Sequence, residues 1–192
     1  MTNERRSSDL SHMQGEGIRI GLISDTHGHI DDRILHHLAG VDEVWHAGDI
    51  GRLDVVDALN QTAPVRAVFG NIDDHRVRAE HPLMHDWTFG RQRIVMLHIG
   101  GRPGRYASGV RAMLMDKRPD IFICGHSHLL RVERDKSWGG LYMNPGAAGL
   151  HGFHKVRTLL RFDLHPARGV ENLEVVELGP RTAQSSVSLQ HN

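Results

Sequence analysis

The chain has 192 residues, of which 39% are hydrophobic, and this is enough to build the core of one domain. Lys plus Arg and Asp plus Glu both number 23, so the formal net charge is zero. This balance argues against a protein that holds nucleic acid by bulk charge. Cys124 is the single cysteine, which excludes a disulfide framework within the chain.

The two ends of the chain differ in composition from its middle. Residues 1–17 are polar and lack the apolar stretch of a signal peptide, and residues 180–192 are rich in Ser and Gln. We expect a flexible N-terminal arm over 1–17, a single domain over 18–179 and a flexible C-terminal tail over 180–192. No apolar run reaches membrane-spanning length, so we expect a cytoplasmic protein without a membrane partner.

Strand and helix patterns alternate in the first half of the domain. The predicted strands are 18–23, 43–47 and 65–69. A helix between the first two begins at Asp31 or Asp32, which can cap it, and ends by Gly40. A second amphipathic helix is predicted over 53–59. These alternating elements indicate a βαβαβ unit with parallel strands.

The second half of the domain is richer in strands. A hairpin is predicted around Gly90, followed by a helix over about 108–117. Further strands are predicted at 121–124, 129–133, 141–143, 158–163 and 173–178. The two halves together predict an α/β protein, with two sheets packed as a sandwich and helices flanking them.

Polar residues gather where the apolar strands stop, which is where ligands bind in open α/β sheets. Five separate strands end in groups that can bind a metal. The candidate ligands are Asp25, His27, Asp49, Asn71, His98, His126 and His128. Asp25 and His27, and likewise His126 and His128, are two residues apart. In extended backbone each pair would point to one side.

The composition of this ligand set favours a site with two metal ions. Two carboxylates, four imidazoles and one amide suit Mn, with Fe, Zn, Ni or Co as alternatives. Seven ligands are too many for one tetrahedral ion, and a carboxylate has two oxygens with which to bridge two ions. Two divalent ions, two carboxylates and a hydroxide leave a net positive centre that attracts phosphate. Metal-activated hydroxide is a nucleophile available at neutral pH.

The order of these motifs resembles that of the calcineurin-like metallophosphoesterases. The motifs are Asp25-Thr26-His27, Gly48-Asp49, Gly70-Asn71, His98 and Gly125-His126-Ser127-His128. The forms Gly70-Asn71-Ile72-Asp73 and Asn144-Pro145-Gly146 are similar to the compact bacterial and archaeal phosphodiesterase branch, and the resemblance spans about residues 18–165. It implies hydrolysis of a small phosphodiester first and of a phosphomonoester second.

The resemblance also implies a division of the ligands and a set of catalytic residues. One ion would take Asp25, His27, Asp49 and His128, and the other Asp49, Asn71, His98 and His126. Many relatives carry a His after the metal-binding Asn, but this chain has Ile72, so the proton donor is unassigned. Asp73 is a weak candidate for it and His75 a second one. The implied catalytic residues are Asp49, Asn71, Asp73 and His75.

A second departure lies after His98, where compact relatives often have His-Gly-His and this chain has a Gly/Arg-rich loop. Arg102, Arg105 and Tyr106 in this loop suit phosphate contacts, although they equally fit a solvated loop and helix start. His29 flanks the first ligand pair and is a fourth candidate contact to the substrate. His46 lies inside a strand and fits an ordinary core histidine.

Other functional classes stay open. One relative of this fold is a scaffold of the retromer complex with a degraded metal site, so a non-catalytic interaction protein is an alternative, and a nuclease is another. A complete ligand set argues against the scaffold, and neutral charge argues against the nuclease and against nucleic acid as partner. Trp87 and Phe89 either pack inside the protein or form the surface of a homo-oligomer.

Overall fold

The computed structural model describes residues 17–182. Residues 1–16 of the predicted arm and 183–192 of the predicted tail lie outside this range. The helices are α1 (Asp32–Leu38), α2 (Leu53–Asn60), α3 (His75–Glu80) and α4 (Val110–Lys117). The strands of the first half are β1 (Ile18–Ile23), β2 (Glu43–His46), β3 (Val65–Ala67), β4 (Met84–Phe89), β5 (Gln92–Leu97) and β6 (Gly101–Arg102). Those of the second half are β7 (Arg105–Tyr106), β8 (Ile121–Ile123), β9 (Leu130–Arg134), β10 (Leu141–Pro145), β11 (Val156–His165) and β12 (Gly169–Pro180).

Two five-stranded mixed sheets form the body of the protein. Their strand orders are β12-β11-β1-β2-β3 and β4-β5-β8-β10-β9, and β6 and β7 form a separate small hairpin. β1, β2 and β3 run parallel, as do β5, β8 and β10. The prediction of a two-sheet α/β sandwich with flanking helices is confirmed.

Three buried apolar clusters hold these layers together. The cluster between the sheets includes Leu22, Trp45, Ile94 and Phe162, each at most 1% exposed. A second cluster lies between the first sheet and helices α1 and α2, and a third packs α4 on the second sheet. Strands buried on both faces read as nearly continuous apolar runs, which is the pattern of β1 and β8. Trp87 and Phe89 pack against the cluster between the sheets.

The layered packing brings the carboxyl ends of the parallel strands to one edge. Backbone hydrogen bonds join the loops that follow these strands. The Asp25 N–H donates to the Gly48 carbonyl at 3.0 Å, and the His27 N–H donates to the Asp49 backbone carbonyl at 3.0 Å. The Gly125 N–H donates to the His98 carbonyl, also at 3.0 Å. The loops after β1, β2, β5 and β8 therefore form one connected surface.

Two elements were not predicted from the sequence. α3 has six residues, too few for an amphipathic pattern, although Asp74 caps it by accepting from the Arg76 and Val77 N–H groups. The β6–β7 hairpin has two residues a strand. The predicted cap of α1 is confirmed at Asp31, which accepts from the Ile34 N–H. Among residues 17–182, no helix is long and apolar enough to cross a membrane.

Candidate metal centre

Six of the seven candidate ligands fall into two groups at this edge. Their ligand atoms lie within 4.8 Å of one another inside each group. The groups are Asp25, His27 and His128, and Asp49, His98 and His126. Each group contains residues that the resemblance assigned to one ion, with Asp49 in the second group and Asn71 in neither.

The first group consists of closely spaced polar atoms. Nε2 of His128 lies 3.2 Å from Asp25 Oδ1 and 3.3 Å from Nε2 of His27. Nε2 of His27 lies 3.7 Å from Asp49 Oδ2. Asp25 is completely buried, and its carboxylate accepts from the His126 N–H at 3.1 and 3.2 Å. A positive charge in this cluster would further compensate the buried carboxylate.

The second group is arranged around His98. Its Nδ1 donates to the Ala47 carbonyl at 2.8 Å, so a neutral ring presents the lone pair of Nε2. That nitrogen is buried without a hydrogen-bond partner among residues 17–182, and Asp49 Oδ1 lies 3.2 Å away. The His126 ring stands edge-on to His98 at 5.2 Å between centroids.

This arrangement fits a cation. Asp49 directs Oδ1 to His98 and Oδ2 to His27, so its carboxylate lies between the two groups. A nitrogen lone pair and a carboxylate oxygen that face each other repel unless a positive charge lies between them. The mixed N/O donor set suits a divalent transition metal, and a histidine held through its other nitrogen is typical of metal ligands.

The electrostatic effects on single groups follow from this crowding. Burial alone would lower the pKa of His98, but the neighbouring carboxylates of Asp49 and Asp25 raise it overall. Burial lowers the pKa of His27 despite the same two carboxylates. Burial would raise the pKa of Asp49, yet His98 and the Ile72 N–H lower it. The site thus concentrates negative charge that a bound cation would neutralise.

The backbone of the ligands differs from the prediction. Asp25, His27, Asp49, His126 and His128 have φ between 48° and 68°, which is the left-handed region and costs roughly 1–2 kcal/mol for a residue with a Cβ. The prediction of extended backbone was therefore wrong. Asp25 and His27 still join one group as expected, whereas His126 and His128 belong to different groups. Strain of this kind persists only where surrounding bonds hold it.

Asp73 is one of the residues that hold these loops. Its carboxylate accepts from the Gly51 N–H at 2.7 Å, the Ile50 N–H at 3.2 Å and the Gly70 N–H at 2.7 Å. It is 3% exposed and ties the Asp49 loop to the Asn71 loop. Both of its oxygens are engaged with backbone, which argues against its predicted role as a proton donor and makes it a positioning residue.

His46 and Asn144 are buried side chains that hydrogen-bond to the loops carrying the candidate ligands. The Gly48 N–H donates to Nδ1 of His46, and Nε2 of His46 lies 2.9 Å from the hydroxyl of Thr26, which donates onward to the Ile50 carbonyl. Asn144 donates to the Gly125 carbonyl at 2.8 Å and to the Ser127 hydroxyl at 3.1 Å. His46 is thus more than an ordinary core histidine, because it orders two ligand loops.

Asn71 and its neighbours lie at the mouth of the centre. Asn71 is exposed and lines a cleft together with His98, while its backbone carbonyl accepts from Arg78 at 3.1 Å. Ile72 is 44% exposed. His75 is the first residue of α3 and is exposed. An exposed apolar side chain, Ile72, therefore stands at the mouth of the centre, at the position after the Asn where many relatives have a histidine.

The predicted substrate contacts divide into two cases. Arg102 and Arg105 are exposed and line a cleft of about 590 Å³ that reaches Ser127, between the ligands His126 and His128. Tyr106 lines it too, but its hydroxyl donates to Asp135 and accepts from Trp138, and burial together with Asp135 raises its pKa. Tyr106 is thus occupied within the fold.

His29 is also engaged within the fold. Its Nε2 lies 3.1 Å from Asp31 Oδ2, and Asp31 in turn pairs with Arg157 at 2.9 Å. Burial would raise the pKa of Asp31, but the Arg157 guanidinium and the Ile34 N–H hold it at about 2. Cys124 is buried, and burial raises the pKa of its thiol to about 12, as suits a structural residue.

One residue at the site was missed. The ring of His151 lies 4.8 Å from that of His27 between centroids, and His151 is exposed. It belongs to the loop after β10, where Gly152 packs on the His128 ring. Nothing in the Leu150-His151-Gly152 sequence distinguishes it from a surface loop, although the two flanking glycines, Gly149 and Gly152, indicate close backbone approach.

Comparisons with known proteins agree with this geometry. Residues 18–166 match the model of the calcineurin-like phosphoesterase superfamily domain. A protein of Methanothermobacter thermautotrophicus named "probable metallophosphoesterase" is 29% identical over 135 residues, which is 67% of this chain and 76% of that protein.

Solved structures with the same fold include Vps29 proteins. Chaetomium thermophilum Vps29 has a TM-score of 0.65 at 20% identity, over 83% of this chain and 96% of that one. Entamoeba histolytica Vps29 in complex with Zn²⁺ has a TM-score of 0.61 at 19% identity, over 84% of this chain and 100% of that one. The family match and the two ligand groups point to binding of divalent metal. The chain belongs to the calcineurin-like phosphoesterase superfamily.

Proposed function

We propose that this protein is a phosphoesterase that binds two divalent ions, with Mn²⁺ the first candidate, and hydrolyses a small phosphodiester, with phosphomonoesters second. The observation that carries the proposal is the facing pair of His98 Nε2 and Asp49 Oδ1, buried 3.2 Å apart. An equivalent pair, His128 Nε2 and Asp25 Oδ1, lies in the other group at 3.2 Å. Two such pairs support two ions better than one.

The residues of this chain have distinct parts in the proposed reaction. When bound, the ions would activate the attacking water and neutralise charge on the phosphoryl oxygens. Asp49 would contribute to both sites, since its two oxygens face His98 and His27, and Asn71 would be a further ligand of the second. The bond from Nδ1 of His98 to the Ala47 carbonyl keeps its Nε2 directed at the centre. Left-handed backbone at the ligands fixes their directions before any ion or substrate binds.

Arg102 and Arg105 are the proposed contacts to substrate oxygens away from the metals. Both guanidinium groups are exposed on the β6–β7 hairpin, and Arg131 lies across the same cleft. Arginine matches phosphate with paired N–H donors. Arg131 pairs with Glu133 at 2.9 Å, so Arg102 and Arg105 are the groups in this cleft that favour an anionic substrate.

Proton transfer to the leaving group has one remaining candidate from the sequence. Asp73 is bound to backbone N–H groups, and Ile72 cannot donate a proton, which leaves His75. If the site works without an acid, His75→Ala should leave the dependence of rate on leaving-group pKa unchanged. If His75 is the acid, the substitution should make that dependence steeper. General acid help is typically worth ~10²–10⁴-fold, so a role for His75 would be plain in a series of aryl and alkyl esters.

The leading alternative is a non-catalytic interaction protein with the same fold. The two ligand groups disfavour it, because buried charge and strained backbone have a cost that a scaffold has no need to bear. The test is hydrolysis of bis(4-nitrophenyl) phosphate and 4-nitrophenyl phosphate by Mn²⁺-reconstituted protein, with the metal-free protein as control. Turnover only with metal supports the proposal; no turnover of either ester in folded, metal-loaded protein contradicts it.

A further inference from the structure

An apolar cleft opens directly beside the second ligand group. Its volume is about 350 Å³, and His98 and Asn71 form its inner end. The other walls are apolar side chains from several elements. They are Phe69, Leu83, Met84, Leu97, Ile99 and Val110.

The rim of this cleft exposes large apolar surface. Leu83 is 65% exposed and Ile99 is 42% exposed. Neighbouring Ile72, next to Asn71, is 44% exposed. Exposed apolar residues are ordinary when scattered, but a contiguous group beside a concave site indicates a binding surface.

Within residues 17–182, Arg78 is the only Lys, Arg, Asp or Glu that lines the cleft, and it is already engaged. Arg78 donates to the Asp73 carbonyl at 2.7 Å and to the Asn71 carbonyl at 3.1 Å. Its guanidinium also lies over the Phe69 ring at 5.0 Å. These contacts hold Arg78 as part of the wall, so the cleft offers a ligand mainly apolar contact.

We propose that this cleft binds an apolar, preferably aromatic, organic arm of the phosphoester substrate while the phosphoryl group lies at the metal centre. The inference rests on the proposed function and narrows it to a substrate class. The observation that supports it is that His98 belongs to both the cleft and the second ligand group, and that Asn71, a further candidate ligand, also lines the cleft. The cleft lined by Arg102 and Arg105, which we call the basic cleft, would take polar or charged parts of the substrate.

Binding of phosphonates tests this without any turnover. Methyl-, butyl- and phenylphosphonate carry one arm each and are not hydrolysed, so calorimetry on Mn²⁺-loaded protein measures the contribution of the arm. Phenylphosphonate should bind about tenfold more tightly than methylphosphonate, with butylphosphonate between them, because apolar area leaves water. The heat-capacity change on binding should become more negative in the same order.

Leu83→Glu provides the matched variant. Leu83 contacts solvent at the rim and ligates nothing, so a charge there should remove most of the phenyl preference and leave methylphosphonate binding within twofold. Leu173→Glu on β12, 39% exposed, is the control and should keep the preference. Leu83→Ala, with less risk to folding, should reduce the preference about two- to threefold.

The outcomes separate this inference from the proposed function. Equal affinities for the three phosphonates in a protein that hydrolyses diesters would overturn the cleft assignment alone. Retention of the full phenyl preference in Leu83→Glu would overturn it as well. A dimer that Leu83→Glu dissociates, with no phenyl preference, would assign the cleft to a second copy of the chain and also overturn it.

Discussion

The ligand loops and the clefts around them are built in opposite ways. The loops bury Asp25, Asp49 and His98 to 2% exposure or less and are tied together by backbone bonds. The clefts expose Ile99 and Arg105 to solvent. The first region fixes geometry at the cost of backbone strain, whereas the second leaves side chains accessible to a substrate.

The difference separates the chemical step from substrate choice. Rigid ligands in left-handed conformations present the same donors to any substrate. The apolar cleft and the basic cleft differ in the substrate groups that they can bind. Changes in the loops should therefore remove activity on every phosphoester, and changes in the clefts should alter one substrate relative to another.

The largest effect is expected for Asp49→Asn. The substitution removes one charge from both ligand groups, and metal stabilisation of the transition state is worth several kcal/mol, so activity should fall about a hundredfold or more. Asp57→Asn, at an exposed position on α2, is the matched control and should stay within twofold. Steady-state rates with bis(4-nitrophenyl) phosphate measure both. Similar losses in the two variants would place the site elsewhere.

Acid should destabilise the supports of the ligand loops. Burial lowers the pKa of His46 to about 4 from 6.5. Its contribution to stability is complete above pH 6.5 and is lost as the pH falls toward 4, because only the unfolded chain binds the proton in that range. The total is at most about 3 kcal/mol.

Urea unfolding of the metal-free protein at pH 7.5 and 4.5 measures the contribution of His46 to the free energy of unfolding. The native protein should lose about 2 kcal/mol or more beyond what His46→Gln loses over the same interval. His36→Gln, on the exposed face of α1, should follow the native protein. Parallel pH profiles for all three proteins would show that His46 is not held neutral in the fold.

Crowding at Gly70 gives an intermediate effect. A Cβ there would meet Asp49 Oδ1 and the Asp49 backbone nitrogen, so Gly70→Ala must displace Asp49 and should cost roughly 1–3 kcal/mol in unfolding free energy. Gly104→Ala meets no atom within 4 Å, but the φ of 78° at Gly104 makes alanine there strained, so the variant should lose about 1–2 kcal/mol of stability and little activity. Activity therefore separates the two variants. Thermal unfolding measures the loss of stability in each variant, and diester hydrolysis measures the loss of activity. An active, equally stable Gly70→Ala would mean that Asp49 has room to move.

Most of the fold was predictable because its elements are strongly patterned. β1 and β8 are short apolar runs, and Asp31 caps α1 where the sequence placed a cap. The strand ends also predicted which side chains would meet. α3 could not be predicted, because a six-residue helix set by one capping Asp has too little periodicity.

The details of the site depend on tertiary contacts that spacing does not encode. Extended backbone was the natural expectation for Asp25 and His27, yet bonds from their N–H groups to the Gly48 and Asp49 carbonyls hold both in left-handed conformations. His151 reaches His27 from a loop more than a hundred residues away. The engagement of Asp73 with three backbone amides is likewise visible only in the folded protein.

The smallest effect is expected in the basic cleft. Arg105→Ala should raise KM for a diester about three- to fivefold with kcat nearly unchanged, because an exposed arginine contributes on the order of 1 kcal/mol to phosphate binding. Arg111→Ala, exposed on α4, should change neither constant. A fall in kcat instead of a rise in KM would mean that Arg105 contacts the reacting phosphoryl group.

The number of metal ions per chain tests the central claim most directly. Elemental analysis of the protein after reconstitution with Mn²⁺ and removal of excess metal should give about two ions per chain, and Asp57→Asn should match it. Asp49→Asn should bind clearly less, because both ligand groups lose a carboxylate. A folded native protein that retains no metal, or an Asp49→Asn variant that retains two ions, would contradict the account.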